Sequence, residues 1–168
     1  TDSFKIDRTD FNSQHLTQTW GQMINKFGFL GKVSFEPVTF KNPKKKKKDQ
    51  LKIGIALGSS NNPVKQWPVD NWIHLVKLLG EHESDIQFVL YGMKSDYGLS
   101  SQILAQNCLR DIENLVGQTS IVQLAKEFSA CSLVIGCDSG AVHLASAVGT
   151  PTLTIFGPTN HTVTSPCF

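Results

Sequence analysis

The sequence lacks any hydrophobic run of the roughly 18 residues that a membrane span needs, and its start, Thr1-Asp2-Ser3-Phe4-Lys5, has no signal-peptide pattern. Both absences point to a soluble, cytoplasmic chain. It also lacks a Cys-x-x-Cys pair. Its four cysteines, Cys108, Cys131, Cys137 and Cys167, are too scattered for the framework of a small secreted protein, so free thiols in a reducing compartment are expected. An excess of one charge is missing as well: 16 Lys and Arg stand against 14 Asp and Glu, and a net charge of +2 gives no field that argues for nucleic acid as a partner. No G-x-x-x-x-G-K-S/T loop is present and no G-x-G-x-x-G follows an expected strand, which weakens ATPase and dinucleotide readings. The chain has no initiator Met, which fits a piece of something longer.

What is present is an ordinary globular composition of 168 residues, 40% of them hydrophobic, enough for one domain with a core. Residues 1–49 read as a lead-in: Leu16, Trp20, Met23, Ile24 and Phe27 fall at helical spacing, Gly28 and Gly31 interrupt it, and Lys44 to Lys48 follow Pro43. Five consecutive lysines suit a solvated linker or loop, with contact to anionic lipid head groups as the alternative. From residue 50 onward strands and helices alternate. Strands are expected at Lys52–Leu57, Ile86–Tyr91, Asn114–Val116, Ser132–Ile135 and Thr152–Phe156, and helices near Val69–Glu81, Ser95–Asn107, Ser120–Ala130 and Ala141–Val148. Strict alternation predicts an α/β, Rossmann-like parallel sheet with helices on both faces. Trp72, Leu75, Val76 and Leu79 mark one buried helix face, and Ile121, Leu124, Ala125 and Phe128 another.

In such sheets ligands sit outside the carboxyl ends of the strands, where the loops at 58–67 and 136–143 fall. The first, Gly58 to Trp67, is rich in small hydroxyl and amide side chains and leads to Pro68, a residue suited to a helix start. It reads as a phosphate cradle in which Ser59, Ser60 or Asn61 donates hydrogen bonds and Lys65 supplies a compact charge, or else as a plain turn with Lys65 solvated and Trp67 in the core. In the second, a helix start at Ser139-Gly140 offers unpaired backbone N–H groups, and glycine leaves room for a phosphate to approach them. Asp138 is either the cap of that helix or a group that points past the phosphates to accept hydrogen bonds from sugar hydroxyls. His143, one turn in, is either structural or a neutral ring donating one hydrogen bond. Asp138, Ser139 and His143 do not form a serine hydrolase, since Cys137 and Ala141 stand where the nucleophile elbow needs glycine.

Lys65-Gln66-Trp67-Pro68, the loop Val116-Gly117-Gln118-Thr119-Ser120-Ile121, and Asp138-Ser139-Gly140-x-x-His143-Leu144-Ala145 through Gly149-Thr150-Pro151 to Phe156-Gly157-Pro158-Thr159 together resemble the carboxyl-terminal half of the ADP-heptose:lipopolysaccharide heptosyltransferases, glycosyltransferase family 9. The resemblance spans about residues 50 to 166 and rests on the order of three separate motifs. It implies a GT-B architecture, with residues 50–168 as the domain that binds the nucleotide-sugar and the acceptor domain absent. Lys65 matches the family's diphosphate-contacting lysine, and Ser60 and Asn61 match hydroxyl positions of its phosphate loop, Asn61 departing from the commoner hydroxyl. Thr119 falls where the family lines the adenosine pocket, and Asp96 where it places an acidic contact to the ribose. Asp138, Ser139, Gly140 and His143 match the D-S/T-G-x-x-H segment that holds diphosphate and sugar.

The implied reaction of the intact protein is inverting transfer of heptose from ADP-heptose to a lipopolysaccharide-core acceptor. An acidic base in the N-terminal half would take the acceptor's proton, so this piece alone should be inactive. Lys65 and the helix start would stabilise the departing ADP, with no metal or other cofactor required. The implied setting is the cytoplasm, with peripheral contact at the inner face of the bacterial inner membrane. The alternatives are a GT-B transferase using another nucleotide-sugar or glycosylating protein, and a non-catalytic nucleotide-binding scaffold.

Overall fold

The computed structural model describes residues 50–59, 62–82, 85–106 and 111–166. The expected lead-in helix, the Lys44 to Lys48 run, Ser60, Asn61, Cys108 and Cys167 lie outside the described residues. Five strands, β1 (Leu51–Ala56), β2 (Ile86–Tyr91), β3 (Ile112–Asn114), β4 (Leu133–Cys137) and β5 (Thr152–Ile155), form one sheet in the order β3-β2-β1-β4-β5. Every pairing is parallel. Between them run α1 (Val69–His82), α2 (Tyr97–Leu104), α3 (Ile121–Ser129) and α4 (Gly140–Ala147), and a short α5 (His161–Thr164) follows β5.

Parallel strands are buried on both faces, and the period of two divides them cleanly. Ile53, Ile55 and Leu57 face a layer containing Trp72 and Val76 of α1 and Ile103 of α2. Ala56, Val89, Tyr91 and Val134 face Ala125 and Phe128 of α3 and Ala145 of α4. Each fully buried aliphatic or aromatic side chain here contributes about 1.5–3 kcal/mol relative to exposure. Trp67, one of the residues weighed for the core, is only partly buried and meets Trp72 edge-on at 4.8 Å. No helix among the described residues is long and apolar enough to cross a membrane.

Gly136 sets how closely α4 approaches the sheet. A Cβ there would lie 2.7 Å from Val142 Cγ1 and 2.9 Å from Ala56 Cβ, so only glycine lets the helix settle against β4. That contact fixes the helix start beside the carboxyl end of β1. At the same end of the sheet α3 opens with a capping box, Ser120 Oγ accepting from Gln123 N–H at 3.3 Å and Gln123 Oε1 from Ser120 N–H at 2.8 Å.

Most boundaries fall within one or two residues of those read in the sequence, and two of the shifts have a visible cause. β3 lies at Ile112–Asn114 rather than 114–116: Asn114 Oδ1 accepts from Val116 N–H at 3.1 Å, and although Leu115 and Gly117 N–H still donate to the Leu90 and Gly92 carbonyls, the pairing is no longer regular and Gly117 takes φ +69°. The helix expected from Ser95 begins at Tyr97, after a 3-10 turn at Lys94–Asp96 in which an Asp96 carboxylate oxygen accepts from Met93 N–H at 2.7 Å.

Candidate functional site

The chain runs outward from β1 through β2 to β3, then crosses back to β4 and on to β5, so the direction of winding reverses between β1 and β4. Helices leave opposite faces there, and a crevice opens at the carboxyl ends of the two strands. Both loops singled out in the sequence border it.

After β1, Ser59, which is 7% exposed, donates to the Asn62 carbonyl at 2.8 Å, and Asn62 Oδ1 accepts from Val64 N–H at 3.2 Å. These local bonds shape the 3-10 turn Pro63–Lys65, while the Pro68 carbonyl receives the first amides of α1. The turn delivers Lys65 across the crevice, where its Nζ lies 2.8 Å from Asp138 Oδ2.

Asp138 does not cap α4. Its backbone N–H donates to the Ile155 carbonyl at 3.1 Å, and the extended Ser139 takes the cap position. The Asp138 carboxylate, 5% exposed, instead gathers donors on Oδ2: Lys65 Nζ, Thr159 Oγ1 at 2.7 Å and Thr164 Oγ1 at 3.4 Å. His143 Nε2 stands 3.8 Å from Oδ1. Burial pushes the Asp138 carboxyl up, but hydrogen bonds from Lys65 and Thr159 and the Lys65 charge, helped by His143, outweigh it and hold the group below the ordinary carboxylate range. The sequence reading gave Lys65 to a diphosphate or to solvent, and Asp138 to the helix cap or to sugar hydroxyls. In the structure the two are paired, because a carboxylate this buried needs a countercharge.

Beside the pair lies a cleft of about 550 Å³, bordered by Gly58 and Gly92, by Thr119 and Ile121, and by Ser139 and Gly140. Asp96, 6% exposed, sits at its edge, and a Cβ on Gly58 or Gly92 would come within 2.5 or 2.8 Å of its Oδ2. Ser139 Oγ is buried there with no hydrogen-bond partner among the described residues. A Cβ on Gly140 would meet nothing within 4 Å, so the helix start is open to the cleft. Ser59 lies on a smaller hollow of about 260 Å³, with Ser95 and again Asp96.

The structure thus gathers Asp96, Thr119, Ser139 and Gly140 around one cleft, and Lys65, Asp138 and His143 at its side. Thr159 and Thr164 were given no role in the sequence reading, although Thr159 ends one of the motifs quoted for the resemblance. Their signal is spatial: the loop after β5 stacks on the 63–65 turn, a Cβ on Gly157 lying 3.4 Å from the Val64 carbonyl. No cluster of three or more His, Cys, Asp or Glu side chains among the described residues is placed to hold a metal ion. An ammonium and open helix amides beside a largely apolar cleft suit an anionic group joined to a flat apolar one.

The lipooligosaccharide heptosyltransferase 2 of Haemophilus ducreyi is 32% identical over 119 residues, 68% of this chain and 34% of that protein. The lipopolysaccharide heptosyltransferase 2 of Escherichia coli K12 is 31% identical over 117 residues, 68% of this chain and 33% of the relative. The chain therefore spans about a third of the length of these curated relatives. Among solved structures, the E. coli ADP-heptose lps heptosyltransferase II superposes with a TM-score of 0.63 at 23% identity, over 98% of this chain and 42% of that one. An E. coli heptosyltransferase with ADP superposes with a TM-score of 0.59 at 24% identity, over 70% of this chain and 36% of that one. These likenesses show the Rossmann-like fold. The model of glycosyltransferase family 9 (heptosyltransferase) matches residues 15–167, and the chain belongs to that family.

Proposed function

We propose that this chain is the donor-binding part of a heptosyltransferase, holding ADP-heptose while heptose is transferred to the lipopolysaccharide core. The observation that carries the reading is the meeting of Lys65, Asp138 and the open helix start Ser139–Gly140 beside one cleft where the winding reverses. A nucleoside diphosphate needs these parts: an apolar slot for the base, hydroxyl and carboxylate partners for the ribose, and fixed positive potential for the phosphates. The names of the relatives, with ADP-heptose and ADP among them, favour adenine.

In this reading the adenosine lies along Thr119 and Asp96. The diphosphate meets Lys65, the amides at Ser139 and Gly140, and the loop holding Ser59, Ser60 and Asn61, while Asp138 and His143 border the sugar. The acceptor hydroxyl attacks the anomeric carbon with inversion, and the bond from that carbon to the diphosphate oxygen breaks. ADP departs with the electron pair. The acceptor's proton passes to a base in the N-terminal half of the intact enzyme. Lys65 and the helix amides meet the charge developing on ADP, and no metal is assigned to that step. The lipid-anchored acceptor favours work at the cytoplasmic face of the inner membrane, through peripheral contact.

Calorimetric titration with ADP-heptose, ADP, UDP and GDP, alongside Lys65→Ala and Asp138→Ala, tests the reading. Selective binding of the adenine nucleotides, weakened but still measurable in Lys65→Ala, is expected. Preference for UDP or GDP would point to another nucleotide-sugar, and no binding at millimolar concentration would leave a scaffold role.

A further inference from the structure

Lys65 has two demands on it. The buried Asp138 carboxylate uses its ammonium as a countercharge, and the diphosphate of the proposed donor would use the same group. Removing a countercharge from a buried carboxylate is strongly unfavourable unless other donors remain. One does. Thr159 Oγ1 lies 2.7 Å from Asp138 Oδ2, on the oxygen that Lys65 contacts, and comes from a different element of the fold. Thr164 is a weaker second: its hydroxyl is 3.4 Å from the same oxygen but 3.2 Å from the Asn160 carbonyl, and a single hydrogen can serve only one of them well. His143 Nε2, at 3.8 Å from the other oxygen, is beyond hydrogen-bond reach.

We propose that Thr159 is a positioning residue for donor binding, whose hydroxyl holds the Asp138 carboxylate in place so that Lys65 can leave it for an anionic ligand. This inference rests on the donor-site reading above and adds the exchange of partners at Asp138. The ligand-free pair is the resting arrangement. When a diphosphate arrives, the ammonium moves to it and the carboxylate remains bound through Thr159, with the Thr164 hydroxyl free to turn from Asn160 toward it. The loop holding Thr159 is stacked on the turn holding Lys65, Gly157 against the Val64 carbonyl, so the two donors stay in register as one moves.

The test uses the full 168-residue chain, titrated with ADP as Thr159→Val, Thr159→Ser, Lys65→Ala and the double variant Thr159→Val with Lys65→Ala. Urea denaturation checks that each is folded. Thr159→Val keeps the shape and removes the hydroxyl, and its ADP affinity should fall about tenfold, the scale of one hydrogen bond to a charged group. Thr159→Ser should restore affinity to within about twofold. In the Lys65→Ala background Thr159→Val should change little, since no ammonium remains to be released. Unchanged affinity in Thr159→Val, or an equal loss with and without Lys65, overturns the inference while the donor reading stands. Absence of ADP binding by the unsubstituted chain overturns the donor reading and the exchange with it.

Discussion

Replacing Lys65 by methionine keeps the length and most of the volume of the side chain and removes its charge. What is left is a carboxylate that is 5% exposed, held by Thr159 and weakly by Thr164, with the His143 ring 3.8 Å away. Breaking a fully buried pair costs about 3–5 kcal/mol, whereas exposed pairs are worth about 0.2–1. Lys65 is 24% exposed and the Thr159 hydrogen bond survives, so the cost falls between these limits, at about 2 kcal/mol near neutral pH. For a domain of this size that is a drop of about 4–8 °C in Tm. The sign of the pH dependence follows from the direction of the Asp138 shift. In the unsubstituted chain the carboxyl is held below its ordinary value, so its stabilisation is present above the unfolded-state pKa and is lost as pH falls through the native one. In Lys65→Met burial is no longer outweighed and the native value rises. The variant then recovers stability on acidification while the unsubstituted chain loses it, and the gap narrows. Urea denaturation at a series of pH values from 7 downward reads both. Equal stability at pH 7, or a gap that widens toward acid, would falsify this account of the pair.

Gly136→Ala forces a methyl group against Val142 and Ala56, and overpacking of this kind costs about 1–3 kcal/mol. Trimming the opposing side chain in Gly136→Ala with Val142→Ala should return part of the loss in a denaturation curve, and failure to do so would show that the clash lies with Ala56 instead. Burial pushes the Cys131 and Cys137 thiols up, and the two are 8% and 0% exposed, so peptide mapping after brief iodoacetamide treatment at neutral pH should find both unmodified. Labelling of either at the rate of the urea-unfolded chain would contradict the packing described for β4 and α3.

The alternation of strands and helices was legible because each element carries its own period, and the interval between Leu51 and Ile155 matches the sequence reading to within a few residues. The boundaries that moved were decided by side chains turning back on the backbone. Asn114 ended β3 and Asp96 delayed α2, and neither effect leaves a hydrophobic period. At the site, parallel winding explains why loops 58–67 and 136–143 had to meet. It does not explain that Lys65 bonds to Asp138 across 73 residues, or that Thr159 reaches the same oxygen, because those depend on rotamers and on the stacking of one loop upon another. Ser139 took the cap position from Asp138 for a related reason. The carboxylate was drawn away by an ammonium and hydroxyls that are distant in the chain.

The central place of β1 has a consequence for how the protein is made. Ile53 pairs with Phe88 on one side and with Leu133 on the other. The second partner is translated roughly 80 residues after the strand itself, which at about 5–20 residues per second leaves one flank of β1 open for about 4–16 s. During that interval the nascent chain carries an apolar strand with unpaired amides and carbonyls, a template for any other strand nearby. A version ending before β4 should therefore self-associate, which sedimentation would show, and a monomeric truncation would speak against it. Yield in the cell is then set by how well that flank is shielded while the ribosome catches up.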